Sequence, residues 1–257
     1  MISSALLLLG SGMLAGLSNA IAGGGTFFTF PVFLAAGLPP VIANASNAVA
    51  VWPGHALAVV AYRRELSRVT TDIRGSMVVA FIGGAAGAFL LARIGNAAFS
   101  KLIPFLIAIA TLLFAFGGRL SIWLTSRRPA AGLEKPGVVT RLCEFCFAVY
   151  GGFFGAGLGV MLMAGLLMLG IQDIQVNNAL KNLLAAIITS VGVVVFALTG
   201  LVSWPHTLIA FVGAIVGGLL GARAARRLPA AWLRRLVIAM GVTLTFYYFR
   251  QYYGNTT

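Results

Sequence analysis

The stretch from Ala22 to Asn47, AGGGTFFTFPVFLAAGLPPVIANASN, limits the folds open to this chain more than any other. Each Gly in a helix interior costs about 1 kcal/mol relative to Ala, so Gly23-Gly24-Gly25 predicts a break. The apolar run that follows, Thr26 to Leu38, is roughly 20 Å long as a helix, against a hydrocarbon core of about 30 Å. It cannot cross a bilayer alone. Pro39-Pro40 closes it, and Asn44, Ser46 and Asn47 open the next long apolar segment. Composition makes the bilayer the relevant solvent: of 257 residues, 60% are hydrophobic and 9% charged, where soluble domains carry about a quarter charged. Freed backbone groups in a membrane must face protein or a water-filled cavity, so a glycine break beside Asn side chains predicts a solvated binding site. A Gly-rich contact between packed helices is the plainer reading of the same residues.

The longest polar connection, Arg119 to Arg141, is too short to bury a core of its own, so function lies within the membrane. A net charge of +13 would suggest nucleic acid in a soluble protein, but most Arg residues cluster in loops, as the positive-inside rule requires. No nucleic-acid partner is expected. Cys143 and Cys146 form a CxxC with neither a second pair nor a nearby His, so they read as packing cysteines; no metal and no cofactor is expected. Leu6 to Leu9 resembles the apolar core of a signal peptide but lacks a basic segment before it, and is read as retained structure.

In order, segment one covers about Ile2 to Ile21, with Asn19 close to the break, and segment two is the short run. Segment three, Val41 to Tyr62, places Asn44, Asn47, Val51 and His55 on one helical face, and a kink is expected at Trp52-Pro53-Gly54. A basic loop with Arg63, Arg64, Arg68 and Arg74 follows. Segment four, Gly75 to Leu91, holds Gly83, Gly84 and Gly87, which permit close packing, and segment five covers Ala98 to Phe116. The second half repeats this plan about 135 residues on: Phe154-Gly155-Ala156-Gly157-Leu158-Gly159 takes the place of the first break, and Asn177, Asn178, Lys181 and Asn182 that of the Asn cluster. Gly87 to Ile94 likewise parallels Gly221 to Leu228.

Corresponding loops carry opposite charge bias. The first-half loop after segment three is basic, whereas its counterpart, Gly200 to His206, has no Arg or Lys; Arg93 and Lys101 of the first half stand against Arg223, Arg226, Arg227, Arg234 and Arg235 of the second. The expected fold is therefore an all-α polytopic membrane protein of two inverted-topology repeats, residues 1–118 and 140–257, joined by a basic cytoplasmic linker, 119–139. Each repeat has a Gly-broken helix pair plus three long helices, and both termini fall on the non-cytoplasmic side. Whether each broken pair is a re-entrant hairpin or two crossings is open, as is the oligomeric state.

A helix starting after a glycine break offers free N–H groups and the positive end of its dipole to an anion. Lys181 is the only charge in the middle of an apolar segment, which marks it as functional, or else as snorkelling to a nearby interface. Asn178, Lys181, Asn182, Ala185 and Thr189 share a face. The five acidic residues, Glu65, Asp72, Glu134, Glu144 and Asp173, fall in loops or at segment ends, which disfavours a cation site or carboxylate relay. No catalytic constellation is evident, so the chain does not read as an enzyme. The candidate substrate site near the midplane comprises Gly23, Gly24, Gly25, Thr26, Asn44, Ser46, Asn47, Gly157, Gly159, Asn178, Lys181 and Asn182. His55, with an ordinary pKa of about 6.5, is the candidate for proton coupling.

The run AIAGGGTFFTFPVFLAAGLPPVIANASNAVAV resembles the glycine-rich signature of the sulfite exporter TauE/SafE family, and ALKNLLAAIITSVGVVVFALTGLVSW resembles its second-half counterpart. The resemblance implies a permease moving small sulfur-containing anions, such as sulfite or sulfonates, outward across a bacterial inner membrane. It also implies functional roles for Gly23 to Gly25, Pro31, Asn44, Asn47, Lys181 and Asn182.

Overall fold

The structure, a computed structural model, describes residues 2–21, 24–69, 73–127, 137–224 and 230–254. The chain folds into α1 (Ile2–Ile21), α2 (Thr26–Ala35), α3 (Pro40–Ala61), α4 (Arg63–Leu66), α5 (Arg74–Arg93), α6 (Asn96–Arg127), α7 (Val138–Phe153), α8 (Leu158–Met168), α9 (Ile174–Leu198), α10 (Trp204–Ala224) and α11 (Ala230–Tyr253). Among the described residues, α5, α6, α9 and α10 are long and apolar enough to cross a membrane. α1, α3 and α11 are at least as long as α5; α3 carries Asn44, Ser46, Asn47 and His55, and α11 carries Arg234, Arg235 and Arg250.

The breaks fall where the glycines predict them. α1 stops at Ile21 and α2 starts at Thr26; α7 stops at Phe153 and α8 starts at Leu158, with Gly155 and Gly157 at φ 77° and 78°. Both short helices then end alike. Leu38 N–H bonds to Phe33 O and Gly37 N–H to Leu34 O, and Ile171 and Gly170 repeat the pattern on Leu166 and Leu167. This is the six-to-one, five-to-two closure that a left-handed glycine permits. Pro40 opens α3, where its missing N–H costs nothing, and the Asp173 carboxylate caps α9 by accepting from Gln175 and Val176 N–H at 2.8 and 3.1 Å.

Glycine also sets the tightest contacts. A Cβ on Gly16 or Gly217 would overlap the carbonyl oxygens of Ala214 and Met13, so α1 and α10 pack backbone to backbone. Gly12 meets Ala210 and Gly16 meets Ala214, so the two helices run parallel. Gly83, Gly84 and Gly87 of α5 meet Ala148, Gly152 and Val149 of α7 in the same parallel sense. α3 and α9 run antiparallel, tied by Trp52 Nε1 to Ser190 Oγ (2.8 Å) and, just past the end of α9, Ser203 N to Ser46 Oγ (2.9 Å). When α1, α2, α3, α5 and α6 are matched in order to α7, α8, α9, α10 and α11, the packing pairs exchange. The α1–α10 pair maps to α7–α5 and α3–α10 to α9–α5, while α3–α9 and α6–α11 map onto themselves. α2 returns along α3, since Thr26 and Thr29 both reach Asn47, and α1 shares the direction of α10, which starts beside Ser46; α1 and α2 therefore form a hairpin about the first break.

Several expectations need correction. Glu144 is not at a segment end: it lies inside α7, only 8% exposed, accepting from Ser76 Oγ (2.9 Å) and paired with Arg141 (2.7 Å). Gly75 leaves room for this, because a Cβ there would lie 2.6 Å from Arg141 Nη2. Cys146 is exposed on the outer face of α7, so packing describes only the half-buried Cys143. The basic loop contains the helical turn α4, and α6 continues to Arg127, well past Phe116. Asp72 and Glu134 lie outside the described residues.

Candidate functional site

The first break is closed by side chains from its own half. Asn19 Oδ1 accepts from Gly25 N–H at 2.7 Å, and Thr29 Oγ1 donates to Asn47 Oδ1 and lies 3.3 Å from Gly25 O. Asn47 Nδ2 reaches Thr26 Oγ1 at 3.5 Å. Gly25 must be Gly, since a Cβ would lie 2.8 Å from Ala15 O. Gly23 lies outside the described residues.

The second break is organised differently. Phe154 and Gly155 N–H both bond to Tyr150 O, and Leu158 N–H bonds to Gly155 O. Among the described residues, the N–H groups of Ala156, Gly157 and Gly159 have no acceptor, and α8 has no side-chain cap. Unpaired donors at a buried helix start are the uncommon case, because such groups normally find a partner. Lys181 lies over this end: a Cβ on Gly159 would be 3.6 Å from Lys181 Cδ, and Lys181 Nζ donates to Asn178 Oδ1 at 3.1 Å. The two breaks abut. Thr26 and Phe27 after the first, with Phe154 and Ala156 of the second, line one void of about 10 Å³, roughly the room of a single water. Phe30 and Phe154 meet edge to face across the same junction, with ring centroids 5.7 Å apart.

Of the residues singled out by sequence, Thr26, Gly25 and Asn47 gather at the first break, and Gly157, Gly159, Asn178 and Lys181 at the second. Asn44 crosses between halves. Its Nδ2 donates to Phe153 O at 2.8 Å, satisfying a carbonyl freed by the second break, and its buried Oδ1 has no partner. Gly24, at φ 85°, accepts from Phe27 N–H through its carbonyl, and a Cβ there would meet Phe114 and Val237. Ser46 joins α3 to the turn before α10 and stands apart from both breaks, and Asn182 lies on α9 one residue past Lys181. His55 is half-buried on α3 within electrostatic reach of Lys181. Sequence reasoning missed Thr29 and Tyr150. Thr29 was accessible in principle, three residues along the helix from Thr26; Tyr150 was not, because its partner depends on the turn.

A family model described as "Sulfite exporter TauE/SafE" matches residues 8–248. The chain is 29% identical over 241 residues to a "Probable membrane transporter protein" of Haemophilus influenzae, covering 91% of this chain and 90% of that one. It is 26% identical over 233 residues to the "Probable membrane transporter protein YfcA" of Escherichia coli K12, covering 91% and 85%. A "Probable membrane transporter protein" of Xylella fastidiosa is 30% identical over 245 residues, covering 90% and 88%.

Proposed function

The chain belongs to the sulfite exporter TauE/SafE family, and from that premise we propose that this multi-pass membrane permease moves small anions, sulfur oxyanions such as sulfite or organosulfonates among them. The observation that carries the reading is the second break, where three N–H groups about the start of α8 are unpaired and the stem of Lys181 lies against Gly159. A nest of backbone donors, the positive end of a helix and an ammonium group together favour an oxyanion. The abutting first break, already closed by Asn19 and Asn47, supplies a neutral wall. Transport rather than catalysis is the role, in keeping with the transporter names of its relatives.

The two halves act as inverted repeats, each with a hairpin that enters to mid-depth and returns, plus three crossings. The exchange of packing pairs supports this, as does the basic character of the loop between α3 and α5.

The test is efflux of labelled sulfite, thiosulfate and methanesulfonate from proteoliposomes. A hydrogen bond to a charged group contributes about 1.5–3 kcal/mol, so Lys181→Ala should weaken handling of the preferred anion roughly ten- to hundredfold, with Lys181→Arg retaining part. Equal transport by Lys181→Ala and the parent would make Lys181 a snorkelling residue and remove this site.

A further inference from the structure

We propose that Tyr150 is a positioning residue for the anion site, its hydroxyl orienting the peptide between Ala156 and Gly157 so that the Gly157 N–H is presented to the ligand. The inference rests on the anion reading above. Tyr150 Oη donates to Ala156 O at 2.7 Å, while Tyr150 O accepts from Phe154 and Gly155 N–H at 2.8 and 3.2 Å. One residue thus clasps the turn by both its backbone and its side chain. The ring also meets Phe154 edge to face, with centroids 6.3 Å apart.

The geometry of the peptide unit gives this clasp its consequence. In a trans peptide C=O and N–H point in opposite directions, so holding Ala156 O against Tyr150 turns Gly157 N–H away from α7. Among the described residues Ala156 O has no other donor. Gly155 and Gly157, at φ 77° and 78°, flank Ala156, and glycine crosses between positive and negative φ at little steric cost. A peptide in such a setting flips readily unless something holds its carbonyl. Flipped, it would aim an oxygen where the anion needs a donor. At the first break Asn19 caps Gly25 N–H directly instead.

Tyr150→Phe removes only the hydroxyl and keeps the ring. Hydrogen exchange of the unliganded protein, read by mass spectrometry over residues 150–161, should rise about tenfold in this variant and stay unchanged in other segments. The KM for the best of sulfite, thiosulfate and methanesulfonate in proteoliposomes should rise about tenfold, with the maximal rate within twofold of the parent. Unchanged exchange, beside a parent that transports, overturns the positioning role alone. Faster exchange with a KM within twofold of the parent also overturns it, leaving Tyr150 a structural clasp. A parent that moves none of the three anions removes the anion reading, and the positioning role falls with it.

Discussion

At the scale of single residues, the polar groups of this protein divide into those that close backbone and those left over. Asn19, Thr29 and Asn47 close the first break, and Asn44 closes the carbonyl end of the second. Among the described residues, the N–H groups of Ala156, Gly157 and Gly159 are left without an acceptor, and Lys181 lies against Gly159. His55 is placed to feel that charge. If the membrane potential alone drives export, His55 has no proton to carry. A potential of 100 mV is worth about 2.3 kcal/mol per elementary charge, so a monoanion is expelled with a bias near fiftyfold. His55→Gln should then leave valinomycin-imposed, potential-driven efflux intact. Efflux that ignores the potential and follows an imposed pH gradient, and that is lost in His55→Gln, would make His55 the coupling residue.

At the scale of elements, the α1–α10 and α5–α7 pairs are set by small residues rather than by large apolar ones. Lipid tails are as apolar as Leu, so burial alone brings little association between membrane helices, and close van der Waals packing takes over. The α1–α10 contact shows this most directly, since Gly217 sits against Met13 O. Gly217→Val should lower stability by about 3 kcal/mol, the upper range for overpacking, seen as a fall in the thermal midpoint of the detergent-solubilised protein. Gly10 is the control. It lies in the same α1 helix with nothing within 4 Å of a Cβ, so Gly10→Ala should be neutral or slightly stabilising, in line with the helix propensities.

At the scale of the whole molecule, the packing exchanges the two halves while reversing their direction. α1, α3 and α10 run one way and α5, α7 and α9 the other. The loop holding α4 and the turn between α9 and α10 should then face opposite sides of the membrane. With Cys143 and Cys146 replaced by Ala, single cysteines at Ser67 and Thr199, both exposed, should react with an impermeant thiol reagent from opposite faces. Reaction of both from one face would overturn the inverted arrangement.

The sequence by itself determined the solvent, the two breaks and the small-residue contacts, because each depends on local chemistry. Composition sets the hydrophobic environment, glycine runs interrupt helices wherever they occur, and Gly83, Gly84 and Gly87 pack closely in any membrane helix. It did not determine which polar groups remain unpaired. Asn19 and Tyr150 look alike in kind, each a polar residue near a glycine break, yet one closes a donor and the other holds a carbonyl. Glu144 read as a segment end because the start of α7 has no cap signal in its sequence; its carboxylate is buried between Arg141 of its own helix and Ser76, which approaches from α5. Hydrogen bonds between residues distant in the chain depend on how the helices pack, so only the tertiary structure decided where the free donors lie.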